Sequence, residues 1–172
     1  AFVYGFGFFC FFLLFIFFLF YILFFLDWKF YYLPFICNLL LVVAGFIGNS
    51  FFNIFISDIS LFFNLTPFLF SFYGFLIGYF SLWIINFIFK LIYRADGIGG
   101  GDFILFGAIG SLFGPFSLGL ILFFGAIFGC FIFILFKKNY QNKIPLGSCL
   151  IVGSIFYFLV KNFELLDNLL VI

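Results

Sequence analysis

Of the 172 residues, 68% are hydrophobic and 8% charged, and the mean hydropathy is +1.44. That leaves too little polar surface for a water-soluble globule and marks an integral membrane protein. The net charge of +1 and the lack of basic runs interleaved with aromatics exclude an electrostatic nucleic-acid binder. With no histidine in the chain, a Ser-His triad, a Cys-His dyad and a histidine-based metal site are excluded as well.

Taken in order, apolar segments run over residues 6–26, 34–56, 67–89, 103–114, 116–136 and 145–160. Most approach the roughly 20 residues that a helix needs to cross the hydrocarbon. They predict an all-α fold, a polytopic membrane bundle of about six transmembrane helices in a single domain over residues 1–172. The first segment is too long for a signal-peptide core and has no basic residues before it, so it reads as a permanent span. The chain begins at Ala1 rather than methionine, which leaves its true start open. Pro34 and Pro145 suit first-turn positions, and Asn64, Thr66 and Pro67 mark a turn into the third span with Thr66 as N-cap. The fourth segment is short: residues 103–114 rise only about 18 Å before Gly114-Pro115 breaks the helix, against a core of about 30 Å. Small residues four apart at Gly74 and Gly78, Gly110 and Gly114, and Gly125 and Gly129 are helix-packing signals.

Lys29, Lys90, Arg94, Lys137, Lys138 and Lys143 fall in alternate loops when six spans are threaded in order, and only Lys161 falls outside them. The loop at 57–66 carries Asp58 and no Lys or Arg. The positive-inside rule then puts Asp27, Asp96 and Asp102 on the cytoplasmic side, and Asp58, Glu164 and Asp167 on the other. Cys10, Cys37, Cys130 and Cys149 form no C-x-x-C pair and read as small buried residues, with no structural zinc predicted.

The most informative stretch is Arg94-Ala95-Asp96-Gly97-Ile98-Gly99-Gly100-Gly101-Asp102, in which a glycine run delivers an acid to the start of an apolar span. A carboxylate there is costly and signals function. Asp27 closes the first span at the same membrane face. Packed together, the two acids form an aspartyl dyad that shares one proton, the ionised member activating water and the protonated one hydrogen-bonding to a carbonyl. Either order of roles is open. The competing structural reading makes Asp27 an interfacial flank beside Trp28 and Lys29, and Asp102 a helix cap. Asp96 reads as the partner of Arg94 in a loop salt bridge, or as a cap, rather than as a third catalytic acid.

Gly99 to Asp102, preceded by Asp96-Gly97-Ile98, resembles the signature of bacterial prepilin peptidases (type 4 prepilin leader peptidases), aspartyl proteases of the membrane of the Gly-x-Gly-Asp type. Leu26-Asp27 with Leu33-Pro34, Gly78-Tyr79-Phe80-Ser81-Leu82-Trp83 with Phe89-Lys90-Leu91, Gly107-Ala108-Ile109-Gly110 and Ile144-Pro145-Leu146-Gly147 resemble further landmarks of that family, in the same order. The resemblance covers roughly residues 15–160. It implies that Asp27 and Asp102 are the catalytic pair, with Asp96, Gly97, Gly99 and Gly101 in the catalytic loop. The implied activity is cleavage of the basic leader of prepilins or type II secretion pseudopilins at the cytoplasmic face of the bacterial inner membrane. It implies no cofactor for proteolysis. S-adenosylmethionine is expected only if the N-methyltransferase activity of many members is retained, and their N-terminal C-x-x-C region has no counterpart here. Two positions depart from the pattern: Ile104 stands where a lysine usually follows the second aspartate, and Phe35 stands where an acid often follows the proline. The expected partners are prepilin or pseudopilin precursors and the lipid bilayer, with no nucleic acid. A non-enzymatic membrane protein, either a small transporter using Asp102 or a decayed peptidase scaffold, is the alternative, although no second copy of the glycine loop argues for a transporter.

Overall fold

The computed structural model describes residues 2–52, 65–136 and 145–162. Asp58, Lys137, Lys138, Lys143, Glu164 and Asp167, on which part of the predicted topology rests, lie outside the described residues. Among the described residues every element is helical: α1 (Phe2–Phe30), α2 (Phe35–Phe52), α3 (Pro67–Tyr93), α4 (Gly100–Phe113), α5 (Leu118–Phe136) and α6 (Leu146–Asn162). Two of them are long and apolar enough to cross a membrane alone, over Gly7–Phe30 and Pro67–Tyr93. The others are shorter apolar helices, and the outer surface of the bundle is dominated by exposed Phe, Leu and Ile side chains such as Phe11, Ile36 and Phe123. Such a surface is compatible with lipid and not with water.

The boundaries follow local chemistry. Thr66 is the N-cap of α3, its hydroxyl accepting from the Leu69 N–H at 3.3 Å, and Pro67 holds the first helical position, as the sequence predicts. Pro34 and Pro145 each stand one residue before a helix rather than in its first turn as expected, and their carbonyls accept the first intrahelical bonds, from Asn38 and Cys149. Helix α3 runs four residues beyond the predicted end at 89. It stops at Arg94, which adopts a left-handed conformation (φ 55°, ψ 24°). At the other end of the next helix, Gly114 (φ 81°) and Pro115 stop α4. Helix α4 also begins earlier than predicted, because Gly100 and Gly101 are already helical. The irregular stretch is therefore only Arg94–Gly99, and the whole of α4 rises about 21 Å.

This short helix is the centre of the molecule. Phe103 and every residue from Leu105 to Phe113 are buried, the pattern of a helix surrounded on all sides. Close approach on its flanks is set by small residues. A Cβ at Gly74 of α3 would collide with the Gly110 carbonyl of α4, and one at Gly45 of α2 would collide with the Ser111 hydroxyl. Gly78 also meets α4, at Phe106 and Gly107, so two of the predicted glycine pairs interlock across one interface. Gly125 of α5 meets the Cys149 carbonyl of α6, and Gly153 of α6 meets Ile121 and Gly125 of α5.

Buried polar side chains tie the same three helices together. The Asn49 side-chain amide of α2 donates to the Ser71 hydroxyl of α3 at 2.9 Å and to the carbonyls of Ser111 and Leu112 at 3.0 Å each. The last carbonyls of α4, freed where Gly114 ends the helix, thus find a donor inside the bundle. The outcome is a fixed central helix whose N-terminal end, carrying Asp102, meets the C-terminal end of α1 and the N-terminal ends of α2 and α6.

Candidate active site

Asp27 lies inside the last turn of α1 rather than beyond it, and is 4% exposed. Tyr31 ends this helix in a left-handed conformation (φ 53°), its N–H donating to the Asp27 carbonyl at 2.9 Å. The reversal starts the short connection to α2. It leaves the Asp27 side chain directed at the start of α6, where Ser148 donates twice to one oxygen: its backbone N–H reaches Oδ2 at 2.5 Å and its hydroxyl reaches the same atom at 2.8 Å. The free N–H groups of a helix's first turn and its positive dipole end suit a carboxylate. Gly147 permits the approach, since a Cβ there would stand 3.1 Å from both Cγ and Oδ2 of Asp27 and 2.9 Å from Leu33 Cδ1.

Asp102 is the third residue of α4. Gly99 is the N-cap, so the cap role considered for Asp102 falls to a glycine with no side-chain bond. The Asp102 N–H donates to the Gly99 carbonyl at 3.0 Å, and its Oδ2 packs over Gly99, 3.2 Å from where a Cβ would be. Its other oxygen, Oδ1, is buried with no hydrogen-bond partner. Leu33 is wedged between Gly101, where a Cβ would stand 2.9 Å from Leu33 Cβ, and Gly147, so both glycines are needed for the α1–α2 connection to seat against α4 and α6.

Asp27 and Asp102 line one cleft of about 230 Å³, together with Tyr31, Tyr32, Leu33, Gly99, Gly100 and Gly101. The two acids selected from sequence are therefore brought together, and Gly99 and Gly101 stand with them. Asp96 and Gly97 are held apart from the cleft lining by a separate network. Asn86 of α3 accepts at Oδ1 from the Gly97 and Ile98 N–H groups, at 2.9 and 3.0 Å, and donates from Nδ2 to Asp96 at 3.3 Å. Asp96 pairs with Lys90 at 3.0 Å, which corrects the expected pairing with Arg94: the left-handed turn at Arg94 folds the loop back along α3, bringing Asp96 over the preceding helical turn. The Lys90 hydrogen bond holds the exposed Asp96 carboxyl below the ordinary aspartate value.

Three residues at the site are absent from the sequence-based candidates: Ser148, Asn86 and Asn38. Asn38 of α2 is fully buried and donates to the Gly101 carbonyl at 3.2 Å, while its Oδ1 has no partner. Each had a signal. Asn38 and Asn86 are amides inside apolar spans, where a polar group needs a partner, and Ser148 follows a Pro-Leu-Gly helix start. The phenylalanine that replaces an acid, Phe35, is exposed at the first turn of α2, while Ile104 is part-buried one turn into α4.

A sequence model of the type IV leader peptidase family matches residues 5–136. The chain is 33% identical over 135 residues to a prepilin leader peptidase/N-methyltransferase of Dichelobacter nodosus, covering 78% of this chain and 43% of that protein. It is 32% identical over 126 residues to a prepilin leader peptidase/N-methyltransferase of Pseudomonas aeruginosa, covering 71% and 40%. A type 4 prepilin-like proteins leader peptide-processing enzyme of Escherichia coli is 32% identical over 82 residues, covering 48% and 30%. The chain thus spans less than half the length of these curated relatives. No solved structure matches it.

Proposed function

Because the chain belongs to the type IV leader peptidase family, we propose that it is a membrane aspartic endopeptidase that removes the leader from type IV prepilins or type II secretion pseudopilins. The observation that carries this reading is the convergence of Asp27 and Asp102 on one cleft at the end of the bundle. Two carboxyls in one confined site divide the work of hydrolysis. The ionised one takes a proton from water as its oxygen attacks the scissile carbonyl carbon. The protonated one hydrogen-bonds to the carbonyl oxygen as charge develops there. Collapse of the tetrahedral species breaks the C–N bond, and the amine leaves with a proton from the pair.

On the α4 side the cleft is lined by Gly99, Gly100 and Gly101, with Tyr31, Tyr32 and Leu33 opposite, which suits an extended peptide lying close to the backbone of α4. Lys29, Lys90 and Arg94 lie at the same end, and by the positive-inside rule that end faces the cytoplasm of the bacterial inner membrane. The proposed reaction is hydrolysis alone and uses no cofactor. S-adenosylmethionine would enter only with the second activity in the relatives' names.

The test is incubation of the purified chain in lipid with a prepilin-type substrate, with the products read by mass spectrometry. A single cut that separates the leader from the mature segment is expected. An intact substrate would instead favour a non-enzymatic scaffold, for which the specific argument is Ile104, an uncharged residue where the family resemblance expects lysine. Ile104→Lys then serves as a second arm: a rise in cutting above the parent chain is expected if the missing charge limits the reaction.

A further inference from the structure

The environments of the two acids differ in a way that assigns their roles, given the peptidase reading above. Both hydrogen bonds from Ser148, the backbone N–H at 2.5 Å and the hydroxyl at 2.8 Å, converge on Asp27 Oδ2. Two donors on one oxygen, at the first turn of a helix, stabilise a negative charge more than they stabilise a neutral carboxyl. Asp102 also sits in a helix first turn, with its Oδ2 against the Gly99 backbone, but among the described residues no side chain bonds to it and its Oδ1 is buried with no partner, so charge on that oxygen is poorly compensated. We propose that Ser148 is a positioning residue that holds Asp27 as the ionised member of the pair, so that Asp27 is the general base toward water and Asp102 carries the shared proton to the scissile carbonyl.

The geometry adds a second function for Ser148. With Oδ2 occupied by both donors, Asp27 has Oδ1 left to take the proton, and the carboxyl plane cannot rotate without losing two bonds. Among the described residues, the titratable groups near Asp27 are Asp102 on α4 and Cys149 on α6, with Tyr31 and Tyr32 at the cleft and Lys29 two positions along α1. Ser148 itself does not titrate, so its effect on a pH profile must act through the pair.

The test is the pH dependence of kcat/KM for leader removal by the parent chain, Ser148→Ala and Ser148→Thr in lipid. Ser148→Ala keeps the backbone donor and loses the hydroxyl. A fall in kcat of about tenfold is expected, the usual scale for one hydrogen bond to a charged group, with the acid limb of the profile moving to higher pH and KM little changed. Ser148→Thr, which retains the hydroxyl, is expected to restore both the rate and the limb. The role assignment is overturned if the alkaline limb moves instead, which would make Asp27 the proton donor. It is equally overturned if neither limb moves, which would leave Ser148 a packing residue. Either result leaves the peptidase reading standing, because the parent chain still cuts. A parent chain that does not cut removes both.

Discussion

Asn86 fixes the loop before Asp102 with one amide group, accepting two consecutive backbone N–H groups and donating to Asp96. Replacing it with leucine strands those donors. A loss of about 1–2 kcal/mol is expected, reduced from the fully buried case because water reaches the exposed loop. Thermal unfolding in detergent measures it, and cutting is expected to fall with it as the α4 start loosens. Asp96 makes a separate prediction. Its carboxyl is held below the ordinary value by Lys90, so the folded state binds that proton more weakly than the unfolded chain. The contribution is therefore complete above the unfolded aspartate value of about 4 and fades as pH falls below it through the folded value. The unfolding midpoints of the parent and Asp96→Asn are expected to differ at neutral pH and converge in acid. A gap that persists unchanged in acid would rule this out. At this scale the sequence was legible for acids and opaque for their partners. Asp27 and Asp102 stand out because charge is rare in apolar spans. Ser148, 121 positions from Asp27, is linked to it only by packing, and Asp96 chose Lys90 over Arg94 because of a backbone turn that no charge pattern encodes.

Among the elements, α4 sets the position of Asp102. It is too short to span the bilayer alone and is enclosed by α2, α3 and α6, and its enclosure depends on glycine. Gly74→Ala is expected to destabilise the bundle by about 1–3 kcal/mol, the range for overpacking, because the new methyl group meets the Gly110 carbonyl, part of the backbone, which has no rotamer to move. Gly119→Ala in α5 is the matched control: nothing lies within 4 Å of a Cβ there, so its midpoint is expected to stay level or rise slightly. Equal losses in the two variants would contradict the close α3–α4 contact. The elements were largely readable in advance, since long apolar runs, Thr66-Pro67 and Gly114-Pro115 each state a boundary in local chemistry. The glycine run was less so. Three glycines in a row suggest a loose loop, yet Gly100 and Gly101 are helical, and Asn38 and Leu33 hold Gly101 from outside.

For the molecule as a whole, an apolar exterior around a central helix with a polar notch at one end suits the proposed water-dependent reaction at a membrane surface. The proposed orientation rests on the charges at that end. Arg94→Cys, made in a chain whose four cysteines are replaced by alanine, is expected to react with a membrane-impermeant maleimide in inverted vesicles and to be protected in intact cells. Labelling of intact cells would place the cleft on the opposite side. Whether Asp27 and Asp102 act as one pair is read most directly from leader removal with Asp27→Asn and Asp102→Asn, both near-isosteric and both checked for folding by their unfolding midpoints. Each single variant is expected to abolish cutting to the same degree, with no further loss in the double variant, while Asp96→Asn retains it. Full processing by either single variant would show that they do not act as one pair.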